Sequence, residues 1–159
     1  MTDTMTMTID GAQRSGVGTF KSIDPFTGEP WMDVAEAGPD DVDAAVAAAR
    51  AAFDGGEWSR LSGRERSRLL RRLGEEIERS ADELALMETR DNGKLLREMS
   101  GQIRALPAWF EYYAGLADKI DGRAVQTGRE DFFGFVMREP VGVVAAILPW
   151  NSPLLLLTF

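Results

Sequence analysis

The chain has 159 residues, 44% of them hydrophobic, so it is long and apolar enough for a packed core. A formal charge of −8 opposes binding along a phosphate backbone. With no cysteine and no histidine it carries no disulfide framework, no thiolate nucleophile and no imidazole base.

The opening MTDTMTMTID has neither the basic nor the apolar region of a secretory signal. Residues 1–18 are polar, rich in Thr and Gly and without period, which predicts a disordered N-terminal tail. Two short strands are predicted at 20–23 and 31–35, flanking the turn signal Asp24-Pro25-Phe26-Thr27-Gly28. After Gly38-Pro39, Val42, Val46, Ala49 and Phe53 recur at helical spacing, with aspartates in the first turn and Gly55-Gly56 as the stop. Ser62 and Glu65 fit a capping box for a second helix with Leu69, Leu70, Leu73 and Ile77 as its stripe. Its arginines interleave with acids, so Arg71–Glu75, Arg72–Glu76 and Glu75–Arg79 are expected as pairs on a solvated face, not as a nucleic-acid patch. Ser80 and Glu83 fit a second capping box, for a helix that Asp91-Asn92-Gly93 closes.

Leu96, Met99, Ile103, Leu106, Phe110, Tyr113, Ala117 and Ile120 alternate steps of three and four, which predicts a long amphipathic helix ending at Asp121-Gly122. Pro107 is expected to kink or split it near Ala105. Core packing explains Trp109, Tyr112 and Tyr113 by the same spacing. A hairpin follows, with strands at 125–126 and 132–138 and with Phe133, Phe135 and Met137 on one face. Such a face calls for a cover, and a second subunit is one candidate.

Residues 139–157 read EPVGVVAAILPWNSPLLLL. The run 141–148 has the composition of a strand buried on both faces of a parallel sheet. Pro149 ends it, and Ser152-Pro153 starts a helix with a hydroxyl N-cap and a proline at the first position. Trp150 and Asn151 therefore occupy a strand-to-helix corner, where open α/β sheets bind ligands. The Asn151 amide offers two uncharged N–H donors, suited to an oxygen that becomes negative during a reaction. The four leucines at 154–157 fall far short of the ~20 apolar residues that span a bilayer. A buried strand needs neighbours and none follows, so a chain cut within a β–α unit, a fragment of a longer cytoplasmic protein, is expected.

The string Glu139, Pro140, Val141, Gly142, Val143, then Pro149, Trp150, Asn151, Ser152, Pro153 resembles the opening of the cofactor-binding domain in the NAD(P)-dependent aldehyde dehydrogenase superfamily. Position 152 is often Phe there. The resemblance reaches back to the Pro-x-Thr-Gly turn at 25–28, through Glu88, Thr89, Asp91, Asn92, Gly93 and Lys94 and the Tyr-Tyr-Ala-Gly run at 112–115, and covers the chain from about Phe20. It implies an α/β fold, the N-terminal part of an aldehyde dehydrogenase: hairpin and helices of the cofactor-binding domain over 19–120, an oligomerisation-type hairpin over 121–140, and over 141–159 the first strand and helix start of an incomplete Rossmann-like sheet.

That family oxidises an aldehyde to an acid. A cysteine thiolate attacks the carbonyl, an asparagine amide and a backbone N–H hold the oxyanion, hydride passes to NAD or NADP, and a glutamate-activated water releases the acid. The resemblance makes Asn151 the oxyanion donor and places Ile147, Leu148, Pro149, Trp150 and Asn151 along the cofactor. Ser22, Ile23 and Asp91 match a monovalent-cation site found in some members. A homodimer or homotetramer is implied, with an aldehyde as substrate. The cysteine and glutamate would lie past Phe159, so the chain alone is expected to be inactive. Two other readings stay open: a helical interaction module without catalytic lineage, and part of an acyl-phosphate or acyl-CoA reductase, which commonly differs at the Trp-Asn pair.

Overall fold

A computed structural model describes residues 4–159. Its first elements are β1 (Thr4–Met5), β2 (Met7–Ile9), β3 (Ala12–Arg14), β4 (Gly18–Ile23) and β5 (Pro30–Glu36). The expected hairpin is β4–β5, antiparallel, with Phe20 opposite Val34. Asp24 builds its turn: the carboxylate accepts from the N–H of Phe26 at 2.8 Å, and the carbonyl accepts from Gly28 at 2.8 Å. β1 adds to the other edge of β5 in parallel, giving the order β1-β5-β4. Within the span expected as a disordered tail, 1–18, the described residues form β1, β2, β3 and the start of β4; residues 1–3 lie outside the described residues. β2 and β3 form their own antiparallel hairpin around Asp10-Gly11, both at positive φ, and Ile9 is buried beneath it. Asp-Gly favours a turn of that kind, a signal the polar composition had masked.

The helices are α1 (Pro39–Gly55), α2 (Glu57–Arg60), α3 (Gly63–Arg79), α4 (Ala81–Asn92) and α5 (Leu96–Leu116). α1 starts at Pro39 and stops at Gly56 as expected, but no residue of it is buried, and Val42 and Val46 stay half-exposed. Ser62 and Glu65 form the capping box of α3, with Oε2 of Glu65 accepting from the Ser62 N–H at 2.8 Å. The second box does not form. Ser80 is the C-cap of α3 as well as the start of α4; its N–H is committed to the Glu76 carbonyl and its backbone is not extended, so its hydroxyl caps nothing.

The core lies where α3, α4 and α5 meet: Ile77, Ala81, Ala85, Met99, Ile103 and Leu106. Gly74 is buried there, and a Cβ on it would stand 3.2 Å from Cβ of Phe110, so its lack of a side chain lets α3 approach α5 closely. α5 runs through Pro107 without splitting; the proline removes one N–H and the flanking turns hold. Two sets of expected contacts are replaced. Arg71 pairs across to Glu111 of α5 at 3.0 Å and Arg79 pairs with Glu76, in place of the predicted i,i+4 pairs. Trp109, Tyr112 and Tyr113 are largely exposed because the stripe that packs is Met99–Ile103–Leu106, and these aromatics fall to its side. α5 also ends at Leu116, short of Asp121.

β6 (Arg123–Val125) and β7 (Gly134–Val136) make the second predicted hairpin, with Ala124 opposite Phe135. The Phe133 and Phe135 rings lie 6.0 Å apart on its open face. The strand expected over 141–148 is not formed. This segment is irregular and unpaired, with Val141 99% exposed, before α6 (Pro153–Thr158) begins. A strand exists through its neighbours, and among the described residues β1–β7 leave none beside it. No helix among the described residues is long and apolar enough to cross a membrane.

Candidate active-site corner

The corner at 149–153 and the helix it opens are held from outside by Lys94, Gln102 and Glu88. Trp150 and Asn151 form a turn and are exposed; Ser152 is 5% exposed; Pro153 opens α6. Ser152 begins the helix through its carbonyl, which accepts from Leu156 at 3.1 Å. Its hydroxyl is not the N-cap that was expected. That group donates to the Asn151 carbonyl at 2.7 Å, accepts from Nζ of Lys94 at 2.7 Å, and has Oε1 of Gln102 at 3.4 Å.

The capping is done by Glu88. Its Oε1 accepts from the N–H of Leu154 at 3.0 Å, one of the first-turn donors that a helix cannot satisfy itself. Glu88 is 8% exposed because it shares a face of α4 with Ala81 and Ala85, seven and three residues earlier. Those alanines leave room for α6, whose Leu154 and Leu155 pack on the core. Lys94 reaches Ser152 because α4 stops abruptly. Gly93 sits at φ +76°, and Oδ1 of Asn92 accepts from the Lys94 N–H at 2.9 Å, which turns the chain back toward α6. Sequence reasoning missed the structural roles of Glu88 and Lys94. The available signal for Glu88 was a charged residue on an alanine stripe; Lys94 meets Ser152 across 58 residues, with no local sign.

The residues predicted along the cofactor differ in their exposure. Ile147 is 97% exposed and Trp150 also faces outward. Leu148 instead lines an apolar cleft of about 540 Å³ with Pro153, Leu154 and Leu157, walled opposite by Phe20, Met32 and Val34. Of the predicted cation set, Ser22 donates to Asp91 at 2.6 Å and accepts from Nε1 of Trp31 at 2.9 Å; Ile23 is the next residue of β4. Among the described residues no three His, Cys, Asp or Glu side chains gather as metal ligands. The carboxylates held below their ordinary range lie elsewhere: Glu65 by its bonds to Ser62, Asp118 by Lys119, and Asp131 by Arg129.

The geometry has close counterparts. The chain is 47% identical over 148 residues to (Z)-2-((N-methylformamido)methylene)-5-hydroxybutyrolactone dehydrogenase of Acinetobacter baylyi, covering 93% of this chain and 30% of that protein. It is 45% identical to betaine aldehyde dehydrogenase of Bacillus subtilis, covering 84% of this chain and 27% of the relative. Among solved structures, an NAD-dependent aldehyde dehydrogenase from Sinorhizobium meliloti superposes with a TM-score of 0.92 at 38% identity, over 99% of this chain and 32% of that one. The NAD+ complex of a Bacillus cereus aldehyde dehydrogenase does so with 0.91 at 38% identity, over 97% and 32%. The chain thus spans about 30% of the length of these relatives. The fold is a partial aldehyde dehydrogenase fold, mixed α/β. A sequence profile of the aldehyde dehydrogenase family matches residues 12–159, and the chain belongs to that family.

Proposed function

We propose that this chain supplies the N-terminal part of an NAD(P)-dependent aldehyde dehydrogenase that oxidises an aldehyde to a carboxylic acid, with Asn151 as the oxyanion donor. The observation that carries this reading is the corner itself: an exposed neutral amide whose backbone carbonyl is tied by Ser152, directly before a helix held from its neighbours. When a thiolate from elsewhere in the protein adds to the aldehyde carbon, the carbonyl π pair moves onto oxygen. An N–H of Asn151 then bonds the new charge, and because the amide is neutral it neither gives up a proton nor repels the thiolate. A bound nicotinamide supplies the hydride acceptor. Exposed apolar Ile147 and Trp150 fit the flat faces of such a dinucleotide, and no Gly-rich phosphate turn follows them in this chain. The chain has no cysteine, so alone it is inactive. The exposed apolar patch of Phe135 in β7 with Phe133 and Met137 on either side of that strand is the surface for a second subunit.

Purified residues 1–159 and the full-length enzyme that contains them are each given an aldehyde panel with NAD+ or NADP+. Absorbance of the reduced cofactor rises only with the full-length protein. Turnover by residues 1–159 alone, or none by the full-length protein with any aldehyde, would overturn the reading.

A further inference from the structure

We propose that Glu88 and Lys94 are positioning residues for Asn151: from the end of α4 they hold the chain directly after it, at Ser152 and Leu154. This rests on the reading of Asn151 given above. Lys94 Nζ donates to Ser152 Oγ at 2.7 Å, and that hydroxyl donates its own proton to the Asn151 carbonyl at 2.7 Å. The three groups form one directed chain, in which the ammonium polarises the hydroxyl and strengthens the bond to the backbone that carries the amide. Two residues further on, Glu88 fixes the Leu154 N–H at 3.0 Å.

Beyond these bonds the corner has Oε1 of Gln102 at 3.4 Å from the Ser152 hydroxyl and the packing of Leu154 and Leu155 on the core. α6 has six residues, too few to hold itself. The segment 141–149 before it has no ladder bonds in this chain. Lys94 is partly buried and pairs with no carboxylate among the described residues, so its charge is directed to Ser152. Gly93 and Asn92 build the turn that delivers it. The two clamping contacts join segments 58 and 66 residues apart, and both fall within three residues of Asn151.

The test is a double-mutant cycle in the full-length enzyme, with kcat and the aldehyde KM measured at saturating cofactor. Lys94→Met and Glu88→Leu each lower kcat by roughly 10–100-fold, as a slightly misplaced catalytic group does. In the Asn151→Ala background each costs less than about twofold, because the group they aim is gone. Lys94→Arg, which keeps a charged donor, restores kcat to within about threefold of the parent. Should Lys94→Met fail to fold, Ser152→Ala breaks the same relay and enters the same cycle. Equal losses in both backgrounds, or no loss in the parent, overturn the clamp while Asn151 keeps its role. If Asn151→Ala itself leaves kcat unchanged, the reading of Asn151 fails and the clamp has nothing to position.

Discussion

Replacing Glu88 by leucine separates local from global stability, with opposite signs. Glu88 is a nearly buried carboxylate on an alanine stripe; Oε1 has the Leu154 N–H, and Oε2 has no hydrogen-bond partner. Burying half-satisfied charge is unfavourable, and an apolar side chain of similar volume often leaves a fold as stable or more so. Leucine should therefore leave the main unfolding transition unchanged or raise it. α6 responds the other way. Its first turn loses a bond from a charged acceptor, a contribution of about 1.5–3 kcal/mol. Six residues have no helical stability to spare, and among the described residues Leu154 and Leu155 pack α6 on the core. At about 1.4 kcal/mol per decade, that loss speeds amide exchange at Leu154 by roughly 10–150-fold. Hydrogen exchange read by mass spectrometry across Pro153–Thr158, beside a denaturant titration, measures both. Glu88→Gln, which keeps the acceptor and drops the charge, falls between. Unchanged exchange at Leu154 in Glu88→Leu would refute the assignment of Glu88 as the cap.

Ile103 is fully buried at the centre of the core, so Ile103→Ala should destabilise by about 2–5 kcal/mol in a denaturant titration. Gly93→Ala forces φ +76° on an L-residue and sets its Cβ 3.1 Å from Pro25; a loss of roughly 1–2 kcal/mol, read by thermal unfolding, is expected. The Glu65 pKa lies below its ordinary 4.5 because the Ser62 hydroxyl and N–H favour its ionised form. A folded value below the unfolded one makes the stabilisation complete above pH 4.5 and lost as pH falls through the folded value, so the acid destabilisation of Ser62→Ala should be shallower than that of the parent over that window.

What could be read from the chain was what local chemistry decides. The Asp24 turn, the Ser62–Glu65 box, and the stops at Gly56 and Gly93 each need only a few consecutive residues, and each stands where it was expected. Ser152-Pro153 likewise marked the start of α6 and so the corner of Asn151. Local signals failed where a distant partner decides. Ser152 has the right side chain for a cap, yet Lys94 and the Asn151 carbonyl claim it, while Glu88 from α4 takes the cap. Ser80 fits the box pattern but closes one helix as it opens the next. Residues 141–148 have strand composition without a strand beside them, and Tyr112 and Tyr113 have the spacing of a core yet stay exposed, while Trp109 meets only the edge of the Phe159 ring among the described aromatic contacts. Asp10-Gly11 was the reverse case, a sound turn signal overlooked inside a polar segment.

In the proposed reaction Asn151 meets the developing charge. The most direct test of that role is kcat for Asn151→Ala in the full-length enzyme, at saturating aldehyde and cofactor. A fall of about 10²–10³-fold is expected, with the aldehyde KM within a few-fold of the parent, as for removal of one oxyanion donor. A kcat equal to the parent's would contradict it.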